Sequence, residues 1–589
     1  MEQDTSLMSD RMPGRSTRSW VRRLSLSGLL LSACAGLGSG ACSKTRGNET
    51  DTQAQPSPER IERFELDLYA FGRQLGTIAP CGCTTDPLGG LQFAFGYMQQ
   101  TSESGMRLVL EPGSFLYPDP EGPEAPVDEA AWAQAEQRAT MLHERFSSLD
   151  GLVSGVGPTD FASSAGAGAL ATHALPRVLA NASGPLDAVA SIRTIALGHG
   201  LVASVTAVVE PDLGLAAATW APGFPALEDP LATLKQLQPE LAKADLSIVM
   251  VHGTRKLAES IARELDVDVV VMGGVQINPE RSRMGSPPVR VGNAWLLEPG
   301  DRAQSIAHLT LSIALDVAEG ELPGEWTLVS PRSQRVAELA RIDEQLAKFA
   351  QDPSADAAFV DRLKSERETL QAAVDSTELP DVPVVVIPEQ IKVNCRQPSD
   401  ATTKQALTDY DAWVAKQNLA RFTGVHAPAP EPGKPSYVGA ETCVDCHAEA
   451  VQFWEGTVHH GAYESLVEVD KQYDLSCVGC HVTGFRKPGG SEVVENELLR
   501  SVQCEQCHGP GSAHLDDPVS ETILRSAPVS VCLDCHTPDH SDTFDYEAYM
   551  RDILGEGHGA SERAKLGPGP SGRELRAAGL AKAGGACKK

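Results

Sequence analysis

Apolar and polar positions alternate between two periods along the first half of the chain. Leu246-Ser-Ile-Val-Met-Val251 and Val267-Asp-Val-Val-Val-Met272 are short, β-branched and apolar at nearly every position, the pattern of strands buried on both faces. Asp229–Ala244 and Leu257–Leu265 carry helical spacing and alternate with those runs. The alternation predicts an α/β domain over 61–328, with helices packed on a mostly buried sheet.

The pattern changes further on. Val336, Leu339, Ile342, Leu346 and Phe349 recur at helical spacing, as do Phe359, Leu363, Leu370 and Val374, with Asp352-Pro353-Ser354 breaking the run. A helical hairpin and connector over 329–423 follows, with a strand near Val384–Ile387 and a helix over Asp400–Arg421. The stripe reads as core packing. His426-Ala-Pro-Ala-Pro-Glu-Pro-Gly433 is a semi-rigid Pro-rich linker within 424–436, placing a further domain at 437–559. Residues 560–589, rich in Gly, Ala, Pro and basic side chains, read as a disordered tail that includes Cys587. A length of 589 residues suits this multidomain division.

That last domain holds four Cys-x-x-Cys-His motifs: Cys443-Val-Asp-Cys446-His447, Cys477-Val-Gly-Cys480-His481, Cys504-Glu-Gln-Cys507-His508 and Cys532-Leu-Asp-Cys535-His536. Two thiols followed at once by an imidazole form the attachment signature of c-type haem, with the His as proximal iron ligand. A zinc ribbon gains nothing from a His after every pair, so four haem c groups are expected. The only Met downstream of Cys443 is Met550, whereas His459, His460, His514, His540 and His558 are spare, so mostly bis-His irons of low potential follow. So short a segment can build little hydrophobic core besides the macrocycles, which predicts a mainly α domain with little regular structure.

Charge narrows the partners. Formal net charge is -29, which excludes nucleic acid as an expected ligand. Between 441 and 560 stand 22 acidic against 6 basic residues, a balance of -16. Such a face suits redox proteins with a basic docking surface, although acidity also serves solubility.

The front of the chain bears on location. Arg15, Arg18, Arg22 and Arg23 precede the apolar run Leu24–Ala33, too short to span a bilayer. Leu31-Ser-Ala-Cys34 resembles a bacterial lipobox, which implies a lipoprotein signal peptide over 1–33, a lipid on Cys34 and a flexible tether over 34–60. A plain secretory signal is the alternative, and Ser39-Gly-Ala-Cys42 is a weaker second lipobox. Neither Cys precedes Asp, so an outer-membrane anchor facing the periplasm or the exterior is expected. Attachment of haem to these motifs takes place outside the cytoplasm, in agreement.

The α/β segment resembles calcineurin-like metallophosphoesterases of the 5'-nucleotidase type, in degenerate form. That family needs Asp, His and Asn ligands on loops at strand ends to hold two metals. Here the first Asp-x-His loop falls at Tyr69–Leu75, without such a pair. The next loops read Glu111-Pro-Gly-Ser114 and Gly157-Pro-Thr-Asp160, His252 fits a later ligand position, and the closing Gly-His-x-His reads Gly273-Gly-Val-Gln276. No dimetal centre and no phosphoesterase activity are expected. Pro80-Cys81-Gly82-Cys83, with Gly89-Gly90 downstream, resembles a subgroup of exported nucleotidase-like proteins found beside multihaem cytochromes. Cys81 and Cys83 are candidate redox or metal-capturing thiols; the alternative is a disulfide from one of them to Cys395.

Residues 437–559 resemble the tetrahaem cytochrome c-554 family of electron carriers. The likeness rests on Gly439 before the first motif, Trp454-x-x-Thr457-x-His459, His481-x-x-Gly484-Phe485 and His508-Gly-Pro-Gly511. It implies His459 as distal ligand opposite His536, His514 opposite His447 and His558 opposite His508. It also implies that the haem on His481 lacks a distal ligand, unless His460 or His540 supplies one. Electron transfer through four haems is the expected function. A reductase of small nitrogen-oxide ligands at an open second haem is the alternative, and axial ligation discriminates the two.

Overall fold

The computed structural model describes residues 62–80, 83–101, 106–122, 125–217, 219–274, 284–315, 322, 324–351, 355–376, 378–585 and 587. The signal peptide, Cys34, the tether and Cys81 lie outside the described residues, as do Val275, Gln276 and the breaker Asp352-Pro353-Ser354. Among the described residues no helix is long and apolar enough to cross a membrane.

Two sheets stack face to face. The first runs β13 (Thr327–Leu328), β14 (Val384–Lys392), β12 (Ser305–Ala314), β1 (Arg63–Ala70), β2 (Arg107–Glu111), β3 (Leu152–Ser154), β4 (Arg177–Val178), β5 (Val189–Ala190). Its β1–β5 run is parallel, while β12 is antiparallel to both β1 and β14. The second runs β10 (Ser286–Val291), β11 (Ala294–Glu298), β9 (Val269–Met272), β8 (Leu246–His252), β7 (Leu201–Val209), β6 (Arg193–Gly198), parallel from β11 to β7.

Strand alternation sorts the apolar residues into layers. Leu66 and Leu68 of β1, Leu309 and Leu311 of β12, and Ile248 and Met250 of β8 meet in one core between the sheets. On the opposite faces, Tyr69 and Val109 pack under the Leu91–Thr101 and Glu129–Ser147 helices. Val249 and Val251 pack likewise under Pro230–Leu241 and Arg255–Glu264. Both of those last helices are opened by a polar cap: Asp229 accepts from the Ala232 amide at 2.7 Å, and Thr254 accepts from Leu257. The result is a mixed α/β sandwich followed by a segment of short helices.

Two expectations about the connector are corrected. The sheet does not end at 328: β14, assigned by sequence to the connector, inserts beside β12 because Val384 and Val386 complete the inter-sheet core. The Ala401–Phe422 helix likewise packs Tyr410 and Val414 into the sandwich. The helical hairpin forms, over Arg332–Phe349 and Ala357–Asp375, with Phe349 and Phe359 edge to face at 5.5 Å.

The tail expected to be disordered is helical over Ala560–Lys565 and Gly572–Lys582, the latter opened by a Ser571–Glu574 capping box. Its Cys587 is bonded to Cys395 across 192 residues, so Cys395 is not the partner of Cys81 or Cys83. The bridge fixes the tail where composition alone favoured disorder.

The C-terminal segment does not stand apart behind its Pro-rich linker. Phe422 and Ala130 share a small core with Tyr463, Val478, Val482 and Val493. Around it, buried Gln134 donates to Asp474 at 2.5 Å, Asn418 donates to the Tyr473 carbonyl at 2.8 Å, and Lys471 pairs with Asp411 at 2.7 Å. That core is the segment's main apolar cluster, in keeping with the small core its length predicts.

Candidate functional site

The second and third motifs lie on short helical turns, the first opens the Val444–Glu455 helix, and the fourth starts in the Val529–Leu533 helix and runs past its end to Cys535 and His536. The imidazoles meet partners from elsewhere in the segment. His447 and His514 face each other with ring centroids 6.3 Å apart and planes at 24°. His459 and His536 stand 6.2 Å apart at 46°. Imidazole nitrogens lie about 2 Å from a metal they bind, so two rings opposed across one metal have centroids roughly 6 Å apart. Both pairs fit an intervening iron. His558 neighbours His508 electrostatically, and its Nδ1 is buried with no hydrogen-bond partner among the described residues, a cost that a ligand would remove.

Several of these rings are oriented by their second nitrogen. Nδ1 of His481 faces the Ala462 carbonyl at 2.5 Å, that of His508 the Leu524 carbonyl at 2.6 Å, and that of His536 the Ser541 hydroxyl at 3.0 Å. His514 Nδ1 lies 3.2 Å from the Val519 carbonyl. Such contacts fix the ring and leave Nε2 for a metal. Burial, with His536 adding a smaller push, takes His459 down to about 4, so it is neutral and able to ligate at physiological pH. His460 sits edge-on to Trp454 at 4.7 Å and His540 contacts the Thr537 hydroxyl at 2.7 Å.

The motifs also touch one another. Cys443 lies beside Cys504, Cys480 beside Cys535, and Cys507 near Cys532. The first motif therefore adjoins the third, the third the fourth and the fourth the second. Glu505, inside the third motif, is nearly fully buried and accepts from the amides of Val438 at 3.0 Å, Gly439 at 2.8 Å and Gly511 at 2.7 Å. It pins the loop before the first motif to the turn that leads to His514. Sequence reading passed over Glu505 as a spacer, although an acidic residue in the first turn of a helix is a recognisable signal.

In the α/β domain, the positions of the eroded phosphoesterase loops gather differently. Asp160 accepts from the amides of Phe115 and Leu116 at 2.8 Å each and of Gly157 at 2.9 Å, and buried Arg177 lies 3.9 Å away. Arg73, on the first loop, pairs with Asp301 at 2.6 Å. The Ser114 hydroxyl lies 3.4 Å from His252 Nε2. Burial, with the nearby Arg73 cation, pushes His252 down to about 3. Thus guanidinium ions and backbone amides engage these carboxylates. At the closing loop a Cβ on Gly274 would come within 1.4 Å of the Gly253 carbonyl oxygen, so a ligating side chain has no room there. Among the described residues, no group of three His, Cys, Asp or Glu converges to hold a metal ion.

Burial, reinforced by the Asp160 charge, pushes Glu111 up to about 8 against the pull of Ser154 and Gly113. An acid raised in the folded state contributes stability that is full below its unfolded value of 4.5 and lost as pH rises through 8. Glu111→Gln, which keeps an acceptor for the Ser154 hydroxyl, should flatten that decline. At pH 9 it should be more stable than the parent by up to about 4 kcal/mol. Thermal melts from pH 5 to 9 with parallel slopes for the two proteins would refute this.

The chain thus joins an α/β sandwich to a segment of four Cys-x-x-Cys-His motifs with opposed imidazole pairs. Residues 442–509 match the family described as cytochrome c554 and c-prime. Cytochrome c-554 of Nitrosomonas europaea is 37% identical over 91 residues, which is 13% of this chain and 39% of that protein. The chain thus spans well under half the length of that curated relative. Among solved structures, the reduced state of the same cytochrome covers 22% of this chain and 84% of its own, at 24% identity and TM-score 0.17. A 5'-nucleotidase precursor from Thermus thermophilus covers 73% of this chain and 72% of its own, at 15% identity and TM-score 0.37. The cytochrome c-554 resemblance read from the sequence holds over residues 442–509.

Proposed function

We propose that this chain is an exported electron-transfer protein carrying four covalently attached haems. The observation that carries the reading is the pair of opposed imidazoles, His447 with His514 and His459 with His536, each set by one attachment motif and one distant His. Haem supplies one-electron redox chemistry at its iron. The chain's own residues do the rest. Cys443 and Cys446, Cys477 and Cys480, Cys504 and Cys507, and Cys532 and Cys535 would hold the groups as thioethers. His447, His481, His508 and His536 would ligate proximally, with His514, His558 and His459 opposite the first, third and fourth. Carbonyl and hydroxyl contacts at Nδ1 keep the rings from turning, which limits reorganisation as charge changes. Contact between successive motifs favours passage of electrons along the order first, third, fourth, second.

Two measurements test this. The exported chain should carry four haems by intact mass and haemochrome absorbance. His459→Ala should convert one iron from low to high spin in the oxidised protein, a quarter of the total, while His460→Ala should leave the spectrum unchanged. An unaltered His459→Ala spectrum would remove the ligand assignment.

The acidic balance of the segment, -16 over residues 441–560, supports partners with a basic docking face and a transfer rate that falls with added salt. A lipid on Cys34 would tether the protein to the outer membrane, facing the periplasm or the exterior. Cys34→Ser should then move it from the membrane to the soluble fraction and abolish labelling by a radioactive fatty acid. Retention of label would refute the anchor site.

A further inference from the structure

We propose that the α/β domain sets the reduction potential of the iron held at His536, acting through Ser541; this rests on reading Cys532-Leu-Asp-Cys535-His536 as a haem site. A proximal His gives Nε2 to iron, so its Nδ1 carries a proton and donates. The atom receiving it at His536 is the Ser541 hydroxyl oxygen, 3.0 Å away on a buried residue. At His481 and His508 the receiving atoms are the carbonyl oxygens of Ala462 and Leu524, at 2.5 and 2.6 Å. A carbonyl is held by its own peptide plane, whereas a hydroxyl rotates and is held by its neighbours. Here the Ser541 and Tyr549 hydroxyls lie 3.3 Å apart, and Tyr549 reaches the Thr543 hydroxyl at 2.9 Å. Of these three sites, the fourth motif's is thus the one whose acceptor belongs to a side-chain network.

That network stands on a loop which the α/β domain grips on both sides of Ser541. Before it, Asp539 pairs with Arg302 at 3.1 Å. After it, Asp542 accepts from the Thr85 amide at 3.0 Å and from the Thr85 hydroxyl at 2.7 Å. Thr85 is buried and the Arg302 side chain is 19% exposed, so water screens these contacts less than a surface pair. Arg302 holds φ 56°, a backbone region that costs a non-glycine residue energy, with its amide on the Arg73 carbonyl. Gly579 of the Gly572–Lys582 helix closes the third side. A Cβ there would come within 2.9 Å of both the Thr85 hydroxyl oxygen and the Thr543 methyl carbon. Phe544, on the same loop, stacks on the His536 ring with centroids 4.8 Å apart and planes at 10°. The place of the acceptor relative to the ring therefore depends on residues outside the C-terminal segment.

The consequence is electronic. Donation from Nδ1 leaves negative charge on the imidazole, which favours ferric over ferrous iron and lowers the potential. No bond breaks and no proton leaves the ring; the length and direction of the N–H···O contact set how much charge it gathers. Ser541 is a positioning residue in this sense, and Arg302 and Thr85 act through it.

The test is a spectroelectrochemical titration of the full-length exported holoprotein, with each iron followed by paramagnetic resonance. Ser541→Ala should shift one of the four irons toward the ferrous state by about tenfold in its reduction equilibrium constant. For a one-electron couple that is roughly 59 mV upward, with the other three irons in place. Ser541→Thr, which keeps the hydroxyl, should restore the parent value. Arg302→Ala combined with Asp542→Ala should move the same iron in the same direction with no change in spin state. Added to His459→Ala, Ser541→Ala should shift the iron whose spin state His459→Ala alters, which identifies it as the fourth. A shift below about twofold in Ser541→Ala, a shift spread over all four irons, or an anchor variant that titrates like the parent overturns the proposal. Haem content separates it from the reading beneath. Four haems with an unmoved fourth iron refute the role of Ser541 alone, whereas a fourth motif without haem refutes both.

Discussion

Changing Cys504 and Cys507 together to Ser will split the protein into two redox units that no longer exchange electrons within one molecule. Among the described residues the third motif stands between the first and the rest: Cys443 lies beside Cys504, Cys507 near Cys532, and Cys480 beside Cys535. With the bridge gone, the first motif is isolated while the fourth and second still adjoin. The parent, reduced fully and mixed with a single-site oxidant, should oxidise in one phase, because its haems equilibrate faster than they discharge. The variant should oxidise in two, one from the first motif alone and one from the second and fourth together. Changing Cys477 and Cys480 to Ser is the control. It removes an end of the series rather than its middle, so one phase should remain. If both variants behave alike, the order of contacts does not describe the path of the electrons.

What the sequence made legible depended on how local the information was. Leu246–Val251 announces a buried strand by itself, since neither face can be polar in β8, where every residue is buried. The attachment motifs are local too, and their identity does not depend on the fold. The opposed pairs His459/His536 and His447/His514 needed the family likeness, because 77 and 67 residues separate the partners and no periodicity links them. The tail misled because Gly, Ala and Pro signal disorder only when nothing distant holds them; the Cys395–Cys587 bond does. β14 misled similarly. Its Val384-Val385-Val386 run is plainly a strand, but whether it joins a sheet begun at Arg63 is decided by the space left beside β12.

Glu505→Ala will cost more stability than removal of any other single carboxylate in the C-terminal segment. The Glu505 carboxylate is 2% exposed and accepts from three separate amides, those of Val438, Gly439 and Gly511. Deleting it leaves three donors facing a void, and a donor orphaned in the interior costs about 1–3 kcal/mol, so a loss of roughly 4 kcal/mol or more is expected. The damage is directional. Gly439 has φ 82°, a conformation that its amide contact with Glu505 helps to hold, immediately before the first motif. Gly511 leads to the short helix bearing His514. Both sides of the His447–His514 pair hang on this one carboxylate, so the first iron should lose its distal imidazole before the fourth, held by His459 and His536, changes at all. Glu505→Gln keeps one carbonyl oxygen but turns the other position into a donor facing donors, so it should recover only part of the stability. Chemical denaturation followed at the haem absorbance, with paramagnetic resonance at low denaturant, reads both effects. Equal loss of both imidazole pairs in Glu505→Ala, or stability within 1 kcal/mol of the parent, would show that Glu505 does not anchor the first site.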